Sequence, residues 1–449
     1  MHIEFLFDVF KEFEFSDSII WKGKKLSYRS LIDNIEKYQL LIDKHQIKEG
    51  SVVALEGDFS PNSIALLLAL IEKTCIIVPL TNTSKKNENK LFSIAQVEFV
   101  FRINENDVIT TETISNKTDN YYYKVIRERK HPGLVLFTSG TSGDPKAAVH
   151  DFFALLEKFK TRRKALRTLN FLLFDHWGGL NTMFHILSNG GTVIATRDRN
   201  PENVCKLIKL HQIELLPASP TFLNLMLLSK AYENYDLSSL KIISYGTEPM
   251  PESTLKRLKR IFPDVKLLQT YGLIELGVMR SKSEKDDSLW VKVGGDGYTT
   301  RIIEGILQIK ADSAMLGYLN APSPFTKDGY FITGDKVLQK GEYIKILGRE
   351  SEIINVGGQK VYPQEVENII QGIDNVAEVT VYGEKNMITG NIVCANIRLI
   401  SDEDNKLFIS RLKKSCRRLL QSFQVPVKVK IVAKEQYSER YKKIRIKHD

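Results

Sequence analysis

Apolar and polar residues alternate along the N-terminal part of this chain in two recurring patterns. Short apolar runs such as 52–56 and 134–137 have the length and composition of buried strands. Between them lie amphipathic stretches with helical spacing, such as 61–73, where Ser60 and Pro61 stand at positions that favour a helix start. Strands that alternate with helices predict a layered α/β structure with mostly parallel strands.

The alternation is clearest between residues 134 and 271. Further strands are predicted at 171–174, 192–195, 214–216, 241–244 and 265–268, with another at 75–78 earlier in the chain. Helices are predicted at 202–211 and 252–261. By contrast, residues 107–123 carry Thr, Asn and Lys, and this composition predicts an irregular segment.

The pattern changes after Trp290. Shorter strands with glycine-rich turns predict a small β-rich subdomain, at 301–304, 306–309 and 343–347. A compact α+β module follows from Ser351, with helices at 363–371 and 403–421 and strands at 378–382, 392–398 and 427–432. We therefore predict a large N-terminal domain over residues 1–348, a hinge at 349–351 and a small C-terminal domain over 352–449.

Composition narrows the class of protein only slightly. The 449 residues are 43% apolar and 26% charged, which is typical of a globular protein with a large core. The net charge of +10 is consistent with anionic ligands, but it fits a nucleic acid or a membrane surface equally well. The basic residues are spread out, and no basic stripe is interleaved with aromatic residues. We therefore expect no nucleic-acid partner.

Signals for export or membrane insertion are not evident in the sequence. The longest apolar run, 64–71, is far too short to span a bilayer. The N-terminal residues include acidic side chains where a secretory signal would be basic. The cysteines are isolated and lack metal-ligand spacing. We therefore expect a cytoplasmic protein with reduced thiols and no integral membrane association.

The strand at 134–137 leads into a loop that is rich in hydrogen-bond donors, Thr138-Ser-Gly-Thr-Ser-Gly-Asp-Pro-Lys146. Gly140 and Gly143 permit backbone conformations that turn N–H groups inward. Lys146 adds a mobile positive charge, and hydroxyl donors come from Thr138, Ser139, Thr141 and Ser142. This set of donors suits a polyphosphate.

Two other interpretations of the loop fit less well. An ordinary surface loop rarely carries so many donors directly after a buried strand. A Walker phosphate loop requires Gly-Lys followed by Ser or Thr, whereas Lys146 follows Pro145 and precedes Ala147. The loop instead resembles the signature loop of the acyl-adenylate-forming ligases, which include acyl-CoA synthetases, peptide-synthetase adenylation domains and luciferases.

Further segments resemble this family in the same order, and Gly357-Gly358-x-Lys360 is closer to acyl-CoA synthetases than to amino-acid adenylation domains. The resemblance implies an enzyme that uses ATP to activate a small carboxylic acid as acyl-AMP, with release of pyrophosphate. A thioester with CoA would then form. It also implies Mg²⁺ as a cofactor and a mobile C-terminal domain, which rotates at Ser351 and brings Gly358 to the site.

The resemblance assigns nucleotide contacts to three more segments. Tyr271 would stack on adenine beside Gly272, and Glu275 would hold Mg²⁺, because hard carboxylate oxygens suit this ion. Asp335 would accept hydrogen bonds from the ribose hydroxyls, with Arg349 beside it. The wall of the adenine pocket would consist of Gly246, Thr247, Glu248 and Pro249.

The resemblance assigns catalytic roles to Lys443, Lys146 and His176. Lys443 would bridge the substrate carboxylate and the α-phosphate, but the glycine that the family has before this lysine is missing, and Lys442 is the alternative. His176 would gate the acyl tunnel or orient the carboxylate, unless it is an ordinary core histidine. Asp175 is either a ligand for a substrate amine or a packing residue.

Other functions stay open at the level of the sequence. The thiol acceptor is either free CoA or the phosphopantetheine arm of an acyl carrier protein. Ile274 replaces a threonine of the family, and Ser351 stands where the family has Asp or Lys. With the missing glycine, these departures leave room for a degenerate ATP-binding regulator without catalysis.

Overall fold

The computed structural model describes residues 2–81, 87–114, 116, 118–138 and 145–444. Helices in this part of the chain begin largely where the sequence predicts. Ser60, for example, accepts a hydrogen bond from the backbone N–H of Ser63 (3.2 Å), and Pro61 lies in the first helical turn. The helices are Glu4–Glu12, Tyr28–Lys44, Pro61–Glu72, Glu88–Ala95, Tyr121–Arg129, Phe152–Leu156, Trp177–Leu187, Pro201–His211, Pro220–Ser229, Glu252–Ile261, Pro363–Gln371 and Asn405–Leu419.

Two sheets of mostly parallel strands form the N-terminal part of the molecule. Sheet I consists, in spatial order, of Lys266–Gln269, Ile242–Tyr245, Leu215–Ala218, Arg167–Leu169, Thr192–Ala195, Asp17–Trp21 and Lys24–Ser27. Sheet II consists of Gly317–Tyr318, Lys146–Asp151, Gly133–Thr138, Ile76–Leu80, Val52–Glu56, Phe99–Ile103 and Ile109–Thr113. The predicted α/β layering is confirmed.

One apolar core joins these two sheets. It contains Ile19 and Val193 of sheet I, Val53 and Leu136 of sheet II, and the helix Pro61–Glu72. The apolar run in this helix is therefore buried inside the protein. In the described part of the chain, no helix is both long and apolar enough to cross a membrane.

Two further sheets follow along the chain. Sheet III is antiparallel and confirms the predicted β-rich region, with strands Tyr271–Leu273, Gly277–Ser283, Val291–Gly294, Tyr343–Arg349, Phe331–Lys340, Ile306–Ala311 and Tyr298–Ile303. Sheet IV consists of Gln359–Val361, Ile354–Val356, Gly390–Leu399, Val376–Asn386 and Lys428–Ile431. The last two helices pack on sheet IV through side chains such as Ile370 and Phe408, so the predicted α+β module is present.

Two predictions about secondary structure are wrong. Residues 171–174 do not form a strand, because the strand of this region is Arg167–Leu169, and Phe171 and Phe174 are buried from an irregular segment. The region 107–123 is more regular than predicted. It contains the strand Ile109–Thr113 at the edge of sheet II and the start of the helix Tyr121–Arg129.

Candidate active site

A cavity of about 1710 Å³ brings together residues that lie far apart in the sequence. Residues predicted as site residues that line it are Thr138, Lys146, His176, Gly246, Thr247, Glu248, Pro249, Tyr271, Gly272, Glu275, Asp335, Arg349, Lys442 and Lys443. Gly358 is not among the lining residues. It lies in an exposed hairpin turn between Ile354–Val356 and Gln359–Val361. Ser139, Gly140, Thr141, Ser142 and Gly143 lie outside the described residues.

The two ends of the predicted phosphate loop form the base of a hairpin. Thr138 and Lys146 face each other in the antiparallel pair of strands that flank the loop. Asn320 fixes the second strand, because its side chain accepts a hydrogen bond from Ala147 N (3.0 Å) and donates one to the carbonyl oxygen of Pro145 (2.9 Å). The loop therefore leaves sheet II at a defined place.

Tyr318 connects the lysine of this hairpin with the predicted metal ligand. Its ring centroid lies 5.5 Å from Lys146 Nζ, and its hydroxyl donates to Glu275 Oε1 (2.6 Å). Burial and the nearby Glu275 carboxylate raise the pKa of Tyr318 above its usual value, so the phenol keeps its proton. Tyr318 was not predicted as a site residue, because only a Gly-Tyr pair near the edge of sheet II marks it in the sequence.

The fit of Glu275 to a magnesium ion depends on the ligands available. Among the described residues, no cluster of three or more His, Cys, Asp or Glu side chains is arranged to hold a metal ion. Proteins commonly bind Mg²⁺ beside nucleotides through one or two carboxylates, with phosphates and water completing the shell. Glu275 lines the cavity and supplies one such carboxylate, so the chemistry of the site is compatible with Mg²⁺ that arrives with ATP.

The Asp335 carboxylate is held from both sides. Tyr271 donates its hydroxyl to Asp335 Oδ2 (2.5 Å), and Arg349 Nε lies 2.8 Å from Oδ1. Arg349 also donates to the carbonyl oxygen of Thr333 (2.7 Å). Burial raises the pKa of Asp335, while Arg349 and Tyr271 oppose that rise. Each carboxylate oxygen can accept more than one hydrogen bond, so Asp335 keeps capacity for a ligand.

The predicted adenine wall contains two positions with special backbone requirements. A Cβ atom at Gly246 would lie 2.4 Å from Thr270 Oγ1 and 2.7 Å from the Thr270 carbonyl oxygen, so only glycine allows the two loops to approach. Thr247 has a left-handed backbone conformation (φ 71°), which is uncommon for a β-branched residue. Strain of this kind clusters at ligand sites.

Glu248, a residue of this wall, also accepts hydrogen bonds from two backbone segments. Its Oε1 accepts from Thr221 N (2.8 Å), in the first turn of the helix Pro220–Ser229. Its Oε2 accepts from the backbone N–H of Lys443 (3.0 Å). A carboxylate is favoured at a helix N-terminus, and here it also ties the C-terminal tail to the cavity.

His176 caps the helix Trp177–Leu187. Its Nδ1 accepts a hydrogen bond from Gly178 N (3.0 Å), so a neutral imidazole carries its proton on Nε2. Burial, and then the positive charges of Lys442 and Arg440, hold the pKa of His176 well below its usual range. The residue therefore offers a neutral N–H donor at the cavity rather than a cation.

The C-terminal tail docks onto the N-terminal part through several contacts. Arg440 Nη2 lies 2.6 Å from Asp175 Oδ2, and the Asp175 side chain is 7% exposed. Ser219 donates its hydroxyl to the carbonyl oxygen of Tyr441 (2.6 Å), and the Tyr441 ring lies 5.6 Å from that of Phe171. Asp175 is thus an ion-pair partner of the tail, a role that the sequence did not predict.

The two neighbouring lysines of the tail have different surroundings. Lys443 Nζ lies 2.8 Å from Glu367 Oε2, in a buried ion pair within the C-terminal part. Lys442 has no ion-pair partner in the described part of the chain, and it lies near His176 at the cavity. Burial, and then Arg440, lower the pKa of Lys442 to about 8, while Glu248 and Asp175 oppose this.

One residue of the tail has a left-handed backbone. Tyr441 (φ 50°) adopts a conformation that glycine adopts without strain and other residues adopt rarely. The residue after it is Lys442. Lys442 is therefore a candidate, beside Lys443, for the role that the sequence predicted for Lys443.

Comparisons with known proteins agree with this geometry. An indoleacetate–CoA ligase from Aromatoleum aromaticum is 28% identical over 435 residues, which cover 84% of this chain and 84% of that protein. A 2-succinylbenzoate–CoA ligase from Listeria innocua is 24% identical over 448 residues and covers 92% of each chain. The crystal structure of an anthranilate–CoA ligase with anthranoyl-AMP shares the fold, with a TM-score of 0.83, 17% identity and coverage of 98% of this chain and 95% of that chain.

Two family models match the sequence. The model described as AMP-binding enzyme matches residues 11–297, which is more than half of the chain. The model described as AMP-binding enzyme C-terminal domain matches residues 365–440. This protein therefore belongs to the AMP-binding enzyme family.

Proposed function

We propose that this protein is an AMP-forming ligase that joins a carboxylic acid to CoA. The observation that carries the proposal is the single cavity that holds the base of the phosphate-loop hairpin, the Asp335–Arg349 pair and the partly buried Lys442. Relatives that match most of the chain are named as CoA ligases, which supports the same reaction.

The reaction proceeds in two steps. In the first, a carboxylate oxygen of the acid bonds to the α-phosphorus of ATP, and the bond from that phosphorus to the β-phosphate oxygen breaks. Pyrophosphate leaves with its electron pair, and acyl-AMP stays bound. In the second, the CoA thiol loses its proton, its sulfur bonds to the acyl carbon, and AMP leaves with the former carboxylate oxygen.

The residues at the nucleotide end bind and orient ATP. Asp335 accepts hydrogen bonds from the ribose hydroxyls, and Arg349 and Tyr271 hold its carboxylate in place. Lys146 meets the phosphates at the mouth of the hairpin. Glu275 would hold Mg²⁺, which would neutralise charge on the leaving pyrophosphate.

We assign the catalytic lysine to position 442. An ammonium group that is buried and unpaired interacts strongly with the charge that develops on the transferring phosphate, because few protein or water dipoles screen it. Lys443 is already neutralised by Glu367, so its ammonium has less to offer. His176 donates through Nε2 and helps to orient the substrate carboxylate beside Lys442.

The second step requires a different arrangement of the tail. We propose that residues 1–348 and 352–449 act as two domains, with Ser351 at the hinge. Rotation would break the Arg440–Asp175 and Ser219–Tyr441 contacts and withdraw Lys442. It would bring the exposed turn with Gly358 to the cavity, where it lines the path of the thiol.

A pyrophosphate-release assay across a panel of carboxylic acids tests this function. We expect ATP-dependent release with at least one acid, followed by thioester formation when CoA is added. Holo-acyl carrier protein in place of CoA tests the alternative acceptor. Tight binding of ATP without turnover of any acid would contradict the proposal and favour an ATP-binding regulator.

A further inference from the structure

A second partly buried lysine lies at the cavity, outside the nucleotide contacts. Lys158 is in a short helical turn, Glu157–Lys160, and lines the cavity. Its Nζ donates to Asn181 Oδ1 and to the carbonyl oxygen of Val278 (2.9 Å), and it lies 5.9 Å from the ring centroid of Trp177. Lys158 thus sits beside the helix that His176 caps.

The charge of Lys158 is not balanced by a carboxylate in the described part of the chain. The charged group that acts on it is Arg163, which also lines the cavity. Burial, and then Arg163, lower the pKa of Lys158 to about 7. Lys160, in the same helical turn, differs from Lys158 in both respects. It is exposed, and its Nζ lies 2.5 Å from Glu157 Oε1.

A further donor at the same place also lacks a partner. The indole Nε1–H of Trp177 is buried without a hydrogen bond, and Trp177 is 1% exposed. Buried donors without acceptors are costly, and a buried ammonium without a counter-ion is more so. Trp177, Asn181 and His185 recur at every fourth residue on one face of their helix, and all three line the cavity.

We propose that the acid activated by this protein carries a second anionic group, a carboxylate, which binds to Lys158. The first carboxylate lies at Lys442 and His176, where acyl-AMP forms. The second accepts a hydrogen bond from Lys158 and places its negative charge beside Lys158 and Arg163. This inference rests on the proposed ligase function, because it concerns the acyl end of the same cavity.

Charge compensation favours a second carboxylate on the acid over a neutral substituent. A neutral acceptor would satisfy a hydrogen bond but leave the positive charge of the site uncompensated. An anion accepts the hydrogen bond and also compensates the charge. A purely apolar acyl chain would desolvate Lys158 further without returning any interaction. The substrate class that fits is therefore a dicarboxylic acid whose second carboxylate is distant from the reacting one.

The test compares dicarboxylic acids with their monomethyl esters in ATP–pyrophosphate exchange. Each pair has the same carbon skeleton, either an aliphatic spacer or a benzene ring. With the wild-type protein we expect the best diacid to exceed its half-ester by about tenfold or more in kcat/KM, which corresponds to about 1.4 kcal/mol. Lys158→Met should remove this preference by weakening the diacid, with little loss for the half-ester.

Lys160→Met is the matched control, because it removes a lysine from the same helical turn but not from the cavity. It should keep the preference for the diacid. A wild-type protein that uses half-esters as well as or better than diacids would overturn the inference and leave the ligase function intact. A protein that binds ATP but exchanges pyrophosphate with no acid would refute the ligase function, and the inference with it.

Discussion

The two ends of the cavity differ in whether their charged side chains have partners within the protein. At the nucleotide end, Asp335, Glu275 and Glu248 each accept hydrogen bonds from protein donors. At the acyl end, Lys158 lies near Arg163, and no carboxylate pairs with it among the described residues. The carboxylates of the first end are thus paired with protein donors, whereas Lys158 and Lys442 have no ion-pair partner among the described residues.

This difference suggests separate roles for the two ends, one in binding ATP and the other in selecting the acid. Side chains that are already held in position bind a ligand with little loss of conformational entropy, so the nucleotide end should accept ATP in a fixed geometry. An uncompensated charge instead favours ligands of the opposite sign and disfavours neutral ones. We therefore expect the nucleotide end to determine the reaction and the acyl end to determine the acid.

The largest effect should come from Lys442. Lys442→Ala is expected to slow acyl-AMP formation about 10²–10³-fold, the usual loss when one preorganised donor to a developing charge is removed. Thioester formation from supplied acyl-AMP should survive, because the proposed rotation withdraws Lys442 for that step. Exchange of pyrophosphate and single-turnover thioester formation measure the two steps separately.

Lys443 provides the control for that prediction. Lys443→Met combined with Glu367→Gln removes the neighbouring ammonium together with the carboxylate charge that it faces. This double variant should keep acyl-AMP formation within a few fold of the wild type. A loss of exchange in the double variant, together with an active Lys442→Ala protein, would return the catalytic role to Lys443.

A smaller effect is expected at the ribose end of the nucleotide site. Asp335→Asn removes the charge that Arg349 holds and weakens the hydrogen bonds to the ribose. Hydrogen bonds to charged groups contribute about 1.5–3 kcal/mol, so the KM for ATP should rise about 10–100-fold. Tyr271→Phe keeps the ring and should raise this KM less. Equal effects of both variants would show that the hydroxyl, rather than the carboxylate, positions ATP.

The pH dependence of acyl-AMP formation should report on Lys442. Its pKa of about 8 means that the ammonium form, which meets the phosphate, dominates below this pH and is lost above it. The kcat/KM for ATP should therefore fall as the pH rises through about 8 and approach a tenfold loss per unit. Lys442→Arg should move this decline to higher pH, because an arginine keeps its proton. An unchanged decline would assign it to another group.

The smallest effects concern stability and compare the lysines directly. Lys443→Met removes one partner of the Lys443–Glu367 ion pair, which should lower the unfolding midpoint by several degrees. Lys158→Met removes a buried charge that has no counter-ion, so the midpoint without ligand should stay the same or rise. Thermal unfolding of both variants measures the contrast. A strong destabilisation by Lys158→Met would indicate a structural role for that lysine.

Sequence patterns predicted several regular elements with correct bounds. The strand Thr192–Ala195 and the helices Glu252–Ile261 and Pro363–Gln371 have the predicted bounds. The prediction of a strand at 171–174 was wrong because an apolar run indicates that residues are buried but not which residues they pack against. Phe174 packs against Phe59 from a loop.

The candidate site was predictable only in part. The resemblance identified Tyr271, Glu275 and Asp335, and the structure brings them to one cavity. It had no means of finding Tyr318 or the Arg440–Asp175 pair, because such contacts join segments that only the fold brings together. The choice between two adjacent lysines depends on the surroundings of each, which the sequence does not specify.

The tail hairpin has a consequence for any change in its length. Tyr437 pairs with Lys443 across the turn, and the residues between them place Arg440 at Asp175 and the carbonyl of Tyr441 at Ser219, while Lys443 reaches Glu367. Inserting or deleting one residue between Arg440 and Lys443 would shift these contacts relative to one another, so that they could not all form at once. The spacing of this short turn is thus as much a determinant of activity as the lysine itself.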